Sequence, residues 1–132
     1  MATIEDAINT YLLTQSTITA YVGNDIYHCA IQENLETDYI RYQMIIASND
    51  PVEFADKTTA QPTFQFDIFS KNDSSALAIG NALVTALHGF SGSLATGINV
   101  VTSMARGPLI MRDGTDEQWY HGIVEWNPEY AR

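Results

Sequence analysis

Apolar residues recur along this chain with two periods. Ile4, Ala7, Ile8, Tyr11 and Leu12 fall three and four apart, behind a T-x-x-D start at Thr3 and Asp6. That spacing places them on one face of a short amphipathic helix with a capping-box entry. "TITAYVGND" continues as a turn or helical stub, which Gly23-Asn24 ends. A brief extended segment is expected at Ile26–Ala30, then a polar loop, "QENLETD". In "YIRYQMIIAS" the residues Ile40, Tyr42, Met44 and Ile46 alternate with Arg41, Gln43 and Ile45, the period of a half-buried strand. The polar connection "NDPVEFADKTTAQP" follows, with Asp50-Pro51 as its turn signal. Then Phe64, Phe66 and Ile68 point one way and Gln65 and Asp67 the other. This second strand runs antiparallel to the first if the connection is a long hairpin.

The period then changes to that of a helix. Asn72, Asp73 or Ser74 can cap it, and Leu77, Gly80, Leu83, Val84 and Leu87 form its expected buried stripe. Ala76, Ala78, Ala82 and Ala86 are small enough to let it approach a sheet, and His88-Gly89 supplies a C-terminal exit. "FSGSLATG" reads as a flexible loop. Beyond it Ile98, Val100, Thr102 and Met104 are expected to share one face of a strand. The stretch from Arg106 to Trp126 reads as a hairpin turning at Asp113-Gly114, with Tyr120, Gly122, Val124 and Trp126 on one face of its last strand. The fold class is therefore α+β: a mostly antiparallel sheet of about four to six strands with two main helices packed on it, one domain over residues 1–132.

Charge narrows the function classes. Sixteen acidic residues against six basic ones give a formal −10, which argues against a sequence-independent grip on phosphate backbones. An acidic surface can still serve beside DNA, by repelling it. The first residues lack a basic region followed by an apolar one, and the longest apolar runs are far short of the ~20 residues of a membrane helix. A soluble, cytoplasmic chain is expected.

Candidate chemistry is sparse. Cys29 is the single cysteine, so no internal disulfide forms, and the simplest reading of it is a small buried hydrophobe near a strand end. His28 and Cys29 are adjacent in an extended segment and so point to opposite faces. His88 sits at a helix end, and His121 alternates out of the apolar set of the last strand. No HExxH, CxxC or calcium-loop spacing is present, and "DGTDE" (Asp113 to Glu117) reads as a turn. Asp67 is expected to pair with Arg41 across neighbouring strands. Trp119 and Trp126 are an odd number apart, which puts them on opposite faces: one in the core, one at an interface. No catalytic residue, cofactor or metal ligand is assigned.

Four segments in order carry a resemblance: Val22, Gly23, Ile26 and Tyr27; Asp38 to Gln43; Gln65, Asp67, Ile68 and Phe69; and Leu87, Gly89, Phe90 and Gly92. Together they resemble the siphophage tail completion family, also called tail terminators or head–tail joining proteins. The resemblance implies a hexameric ring that caps the tail tube at its final length and joins it to the connector below the head. The implied partners are further copies of the chain, the tail tube protein and the head-closure or connector protein; DNA passes through without specific binding, and no membrane is involved. The implied location is the host cytoplasm during assembly and then the virion. Within that reading Asp50, Glu53 and Asp56 are the expected channel-facing residues. Leu109, Ile110, Met111 and Trp119 are the expected subunit interface, with "PLIM" and the second hairpin strand as candidate sheet edges. Two alternatives stay open: a head-closure or tail-tube ring subunit, and a small monomeric enzyme or binding module.

Overall fold

Thr3 accepts from the Asp6 amide through its hydroxyl and starts the first helix, α1 (Ile4–Leu13), burying Ile4, Ala7, Ile8 and Leu12 as the spacing predicts. The computed structural model describes residues 3–29, 37–46, 59–95, 98–112 and 119–131. After α1 come α2 (Ser16–Val22), β1 (Ile26–His28), β2 (Tyr39–Ile46), β3 (Thr59–Ala60) and β4 (Thr63–Ser70). The chain continues through α3 (Asp73–Leu87), β5 (Gly92–Ala95), β6 (Ile98–Arg112) and β7 (Tyr120–Ala131). Gly23, at φ 58°, ends α2. Asn72 is the cap of α3, accepting from the Ser74 amide.

The strands form one sheet in the order β1-β2-β4-β7-β6-β5, with the two-residue β3 added on β7. The architecture is α+β, but the sheet is mixed where a mostly antiparallel one was expected, because β1 runs parallel to β2. Ten residues separate His28 from Tyr39, a link long enough to return the chain in the same direction, where a tight turn would have reversed it. The second hairpin strand, expected as an edge, is β7 and lies inside the sheet between β4 and β6. The segment read as the loop "FSGSLATG" contains β5, which pairs with the start of β6. Among the described residues there are three helices: α1 and α3 are the two main ones expected, and α2 is the helical stub expected after α1.

The helical side of the sheet holds the core. Phe64, Phe66, Ile68, Val124 and Trp126 are fully buried there with Leu83 and Leu87 of α3. Polar ties fix the helices. Tyr42 donates to the Glu5 carbonyl at 2.6 Å, Tyr11 to that of Ala86 at 2.8 Å, and Asn9 to that of Ile26 at 3.0 Å. Burial pushes the Tyr42 phenol up to about 12, so it stays a neutral donor. The stripe of α3 is rotated from expectation: Ala76 and Ile79 join Gly80, Leu83 and Leu87 inside, while Leu77 is 47% exposed. A helix with alanines all around has no strong apolar bias, and the sheet's shape selects which face turns inward.

Two bulges redirect strand faces. Between Val100 and Thr102 the register of β6 shifts, so Ser103 and Ala105 are buried and Met104 is 63% exposed. Ile98, Val100, Thr102 and Met104 therefore do not share a face, since one extra residue inverts everything after it. A second shift, between Met44 and Ile46, sets Ile46 opposite Thr63 and leaves it exposed.

Gly107 marks a third irregularity, between Arg106 and Leu109. Its φ is +120°, and a Cβ there would lie 2.7 Å from the Ile123 carbonyl oxygen. Gly107→Ala is expected to destabilise the fold by about 2 kcal/mol, through the backbone conformation and the contact together. Urea denaturation of the variant checks this, and an unchanged midpoint refutes it.

Candidate functional site

The face of the sheet turned away from the helices carries the polar alternates. On β4 these are Gln65, Asp67 and Phe69, and registry sets Arg41 of β2 and Ile123 of β7 beside Asp67. The Arg41–Asp67 pair expected from alternation forms, at 3.3 Å from Nη2 to Oδ2. Asp67 is nevertheless fully buried, because two further donors close over it. His121 Nε2 and Gln65 Nε2 both lie 2.8 Å from Oδ1. With a carboxylate able only to accept, His121 must present Nε2–H. Burial alone would raise the Asp67 carboxyl. The hydrogen bonds from His121 and Gln65, with the charges of His121 and Arg41, outweigh burial and hold it below its ordinary value.

Rings pack beside this cluster. His121 stacks on Phe69 at 4.7 Å and 7° between planes, Phe69 stacks on Tyr39 at 4.8 Å, and Trp119 meets Tyr39 edge-on at 5.7 Å. Arg41 lies over Phe69, and Lys71 over Trp119 at 5.2 Å. A carboxylate enclosed by three committed donors offers no face to a substrate. The arrangement ties β2, β4 and β7 together and makes that end of the face rigid.

Toward the other end lies a groove of about 250 Å³ lined by Ile46, Thr63, Met104, Arg106, Glu125 and Asn127. Arg106 holds Glu125 through Nε at 2.8 Å yet its side chain is 77% exposed, so the rest of its guanidinium sits at the mouth. Leu109 and Met111 continue the apolar line of β6 on this face, opposite Ile123 and His121, with Leu109 60% exposed.

Of the expected interface residues, Leu109 and Met111 thus stand open to solvent. Ile110 points the other way, against the core opposite Gly122. Trp119 is half-buried in the ring cluster, and Trp126 takes the core position. Asp50, Glu53, Asp56 and the Asp113-Gly114 turn lie outside the described residues. His28 is exposed, and Cys29, expected as a small buried hydrophobe, is exposed as well, because at φ 67° the chain turns out of the extended conformation there, just past β1. His88 Nδ1 accepts from the Ala105 amide at 3.0 Å, tying the end of α3 to β6. Among the described residues no three His, Cys, Asp or Glu side chains come together as metal ligands. Sequence reasoning missed His121 as a partner of Asp67, and Ile46 and Met104 as groove walls. The first needs the β4–β7 register and the others need the bulges, neither of which alternation reveals.

Comparison with known proteins adds to this geometry. A family model described as Tail completion protein gp17 matches residues 6–127. Among curated proteins none matches the sequence. The fold is similar to that of a chain in a structure described as the virion of native gene transfer agent (GTA) particle. The TM-score is 0.71 and the identity 18%, with 98% of this chain and 95% of that chain covered.

Proposed function

We propose that this chain, which belongs to the tail completion protein gp17 family and is accordingly a structural protein of a phage tail, works as a ring subunit. The ring, of six copies, caps the tail tube at its final length and docks to the head connector. The observation that carries this reading is the family match across nearly the whole described fold, joined to the line of exposed Met104, Leu109 and Met111 on one sheet face. A closed ring needs two different complementary surfaces on each subunit, and exposed apolar side chains in a row favour a partner over water. Leu109 and Met111, with the nearby Trp119, are assigned to contacts between subunits.

A chain at −10 repeated around a channel repels passing DNA, which carries about one charge per 1.7 Å. Asp50, Glu53 and Asp56 are assigned to that lining on their sequence positions. The assembly forms in the host cytoplasm and persists in the virion at the head–tail junction.

Sedimentation with negative-stain imaging, with and without purified tail tubes, tests the reading. Rings in solution or at tube ends are expected. A compact monomer that never binds tube ends removes it, and a chain that polymerises into tubes unaided is a tube subunit instead. Charge reversal of Asp50, Glu53 and Asp56 is expected to leave the melting curve intact and to lower infectivity by about tenfold or more. Unchanged infectivity excludes the channel assignment.

A further inference from the structure

Leu77 is the one large apolar side chain of α3 that the sheet does not cover. It stands 47% exposed, four residues after the exposed Asp73 and four before the exposed Asn81. Residues at that spacing lie along one outward line of the helix, so α3 presents a carboxylate, a leucine and an amide in sequence. On the opposite face of the same subunit, the groove offers matching chemistry. Ile46 and Met104 are exposed apolar walls, and Arg106 stands at the mouth with Thr63, Asn127 and its own partner Glu125 beside it.

We propose that ring neighbours meet by inserting Leu77 of one copy between Ile46 and Met104 of the next, with Asp73 reaching the exposed guanidinium of Arg106.

The proposal rests on the ring reading and specifies the surfaces that make it. The charges that such a contact brings together are Asp73 on the helix and Arg106 at the groove mouth, the latter 77% exposed although it already holds Glu125. The three helices contain Glu5, Asp6 and Asp73 and no Lys or Arg, whereas the sheet face carries Arg41 and Arg106 together with their partners Asp67 and Glu125. A second copy of the chain thus brings Asp73, with no cation on its helices beside it, to a groove whose exposed group is the Arg106 guanidinium. Other negatively charged proteins could approach Arg106, but the leucine one turn from a carboxylate is present on this chain itself. Because socket and knob lie on opposite layers, two copies so joined still have a free socket and a free knob. That is the head-to-tail condition for a closed ring. Met104 suits the socket, since its thioether side chain adapts to an inserted group.

The test uses the full chain with Cys29→Ser, the only native thiol being at Cys29, and adds Leu77→Cys and Met104→Cys. A short bismaleimide is applied to assembled rings, alone and on tube ends. A covalent ladder of chains ending at the ring size is expected, and no ladder from either single-cysteine chain. Rings that sediment normally but give no ladder overturn the contact while leaving the ring reading in place. Cross-links to the tube protein alone also overturn it, by showing a different occupant. In parallel, Arg106→Asp and Asp73→Arg are each expected to raise the concentration for half-assembly by about tenfold or more. The two changes combined in one chain are expected to restore it to within about threefold. Single variants that assemble like the parent, with unchanged melting curves, refute the proposal. Failure of the parent chain to assemble in solution or on tubes refutes the ring reading and this contact with it.

Discussion

Trp126→Ala is expected to destabilise the protein by about 3–5 kcal/mol, enough to leave a domain of ordinary stability only marginally folded. The indole is fully buried in β7 with its registry neighbours Phe64 on β4 and Ala105 on β6. Its Nε1–H donates to the Leu87 carbonyl at 3.0 Å, where α3 ends. Removing the ring opens a cavity against Phe64, whose ring centroid is 6.3 Å away. It also takes away one of three donors to that carbonyl; Ser103 Oγ at 2.9 Å and the Phe90 amide at 3.1 Å supply the others. Trp126→Phe separates the contributions, because it keeps most of the apolar volume and the Ser103 bond holds the carbonyl. A loss of about 1–2 kcal/mol is expected there. Chemical denaturation of both variants checks the pair. Equal losses would mean that the hydrogen bond, and not packing, holds the end of α3.

The second large effect concerns Asp67. Asp67→Asn is expected to cost about 2–3 kcal/mol at neutral pH. Breaking a fully buried ion pair costs about 3–5 kcal/mol, and the partial exposure of Arg41 and His121 reduces it. A neutral amide cannot accept from Arg41, His121 and Gln65 with the strength of a carboxylate, and Arg41 Nε is already buried without a partner among the described residues. The effect carries a pH signature. The Asp67 carboxyl titrates below its ordinary 3.8 when folded, so the unfolded chain binds the proton more readily. The stabilisation is present above 3.8 and is lost as pH falls through the folded value. Wild type and Asp67→Asn should thus differ in full at pH 6 and converge in strong acid, in about the range where carboxylates protonate. A difference independent of pH would show that the residue acts through shape alone. Because β2, β4 and β7 converge on this side chain, ring assembly is expected to weaken along with stability.

These expectations differ in how far the sequence supplied them. Trp126 was one of two tryptophans that alternation placed on opposite faces, and Val124 and Gly122 beside it marked the inward one. The Arg41–Asp67 pair was legible because both residues sit at polar alternates of adjacent strands. His121 was not, because its approach to Asp67 is diagonal and depends on the β4–β7 register. The stripe of α3 was only partly legible, since alanines around the helix leave its inward face to be chosen by the sheet and by Gly80. A Cβ on Gly80 would lie 2.5 Å from Pro108, so β6 comes against α3 at that point.

The sequence by itself determined the helix start at Thr3 and a second within Asn72 to Ser74, the alternation of β4 and β7, and the ordered segments through which the family is recognised. Each of these depends on neighbours in the chain, where spacing and side-chain chemistry act directly. Only the tertiary structure decided that β1 lies parallel to β2, that β7 is interior, and that bulges turn Ile46 and Met104 outward. It also decided that Leu77 faces solvent. These features depend on which strands meet and in what register, and one inserted residue reverses a face without altering the local pattern that a reader of the chain can see.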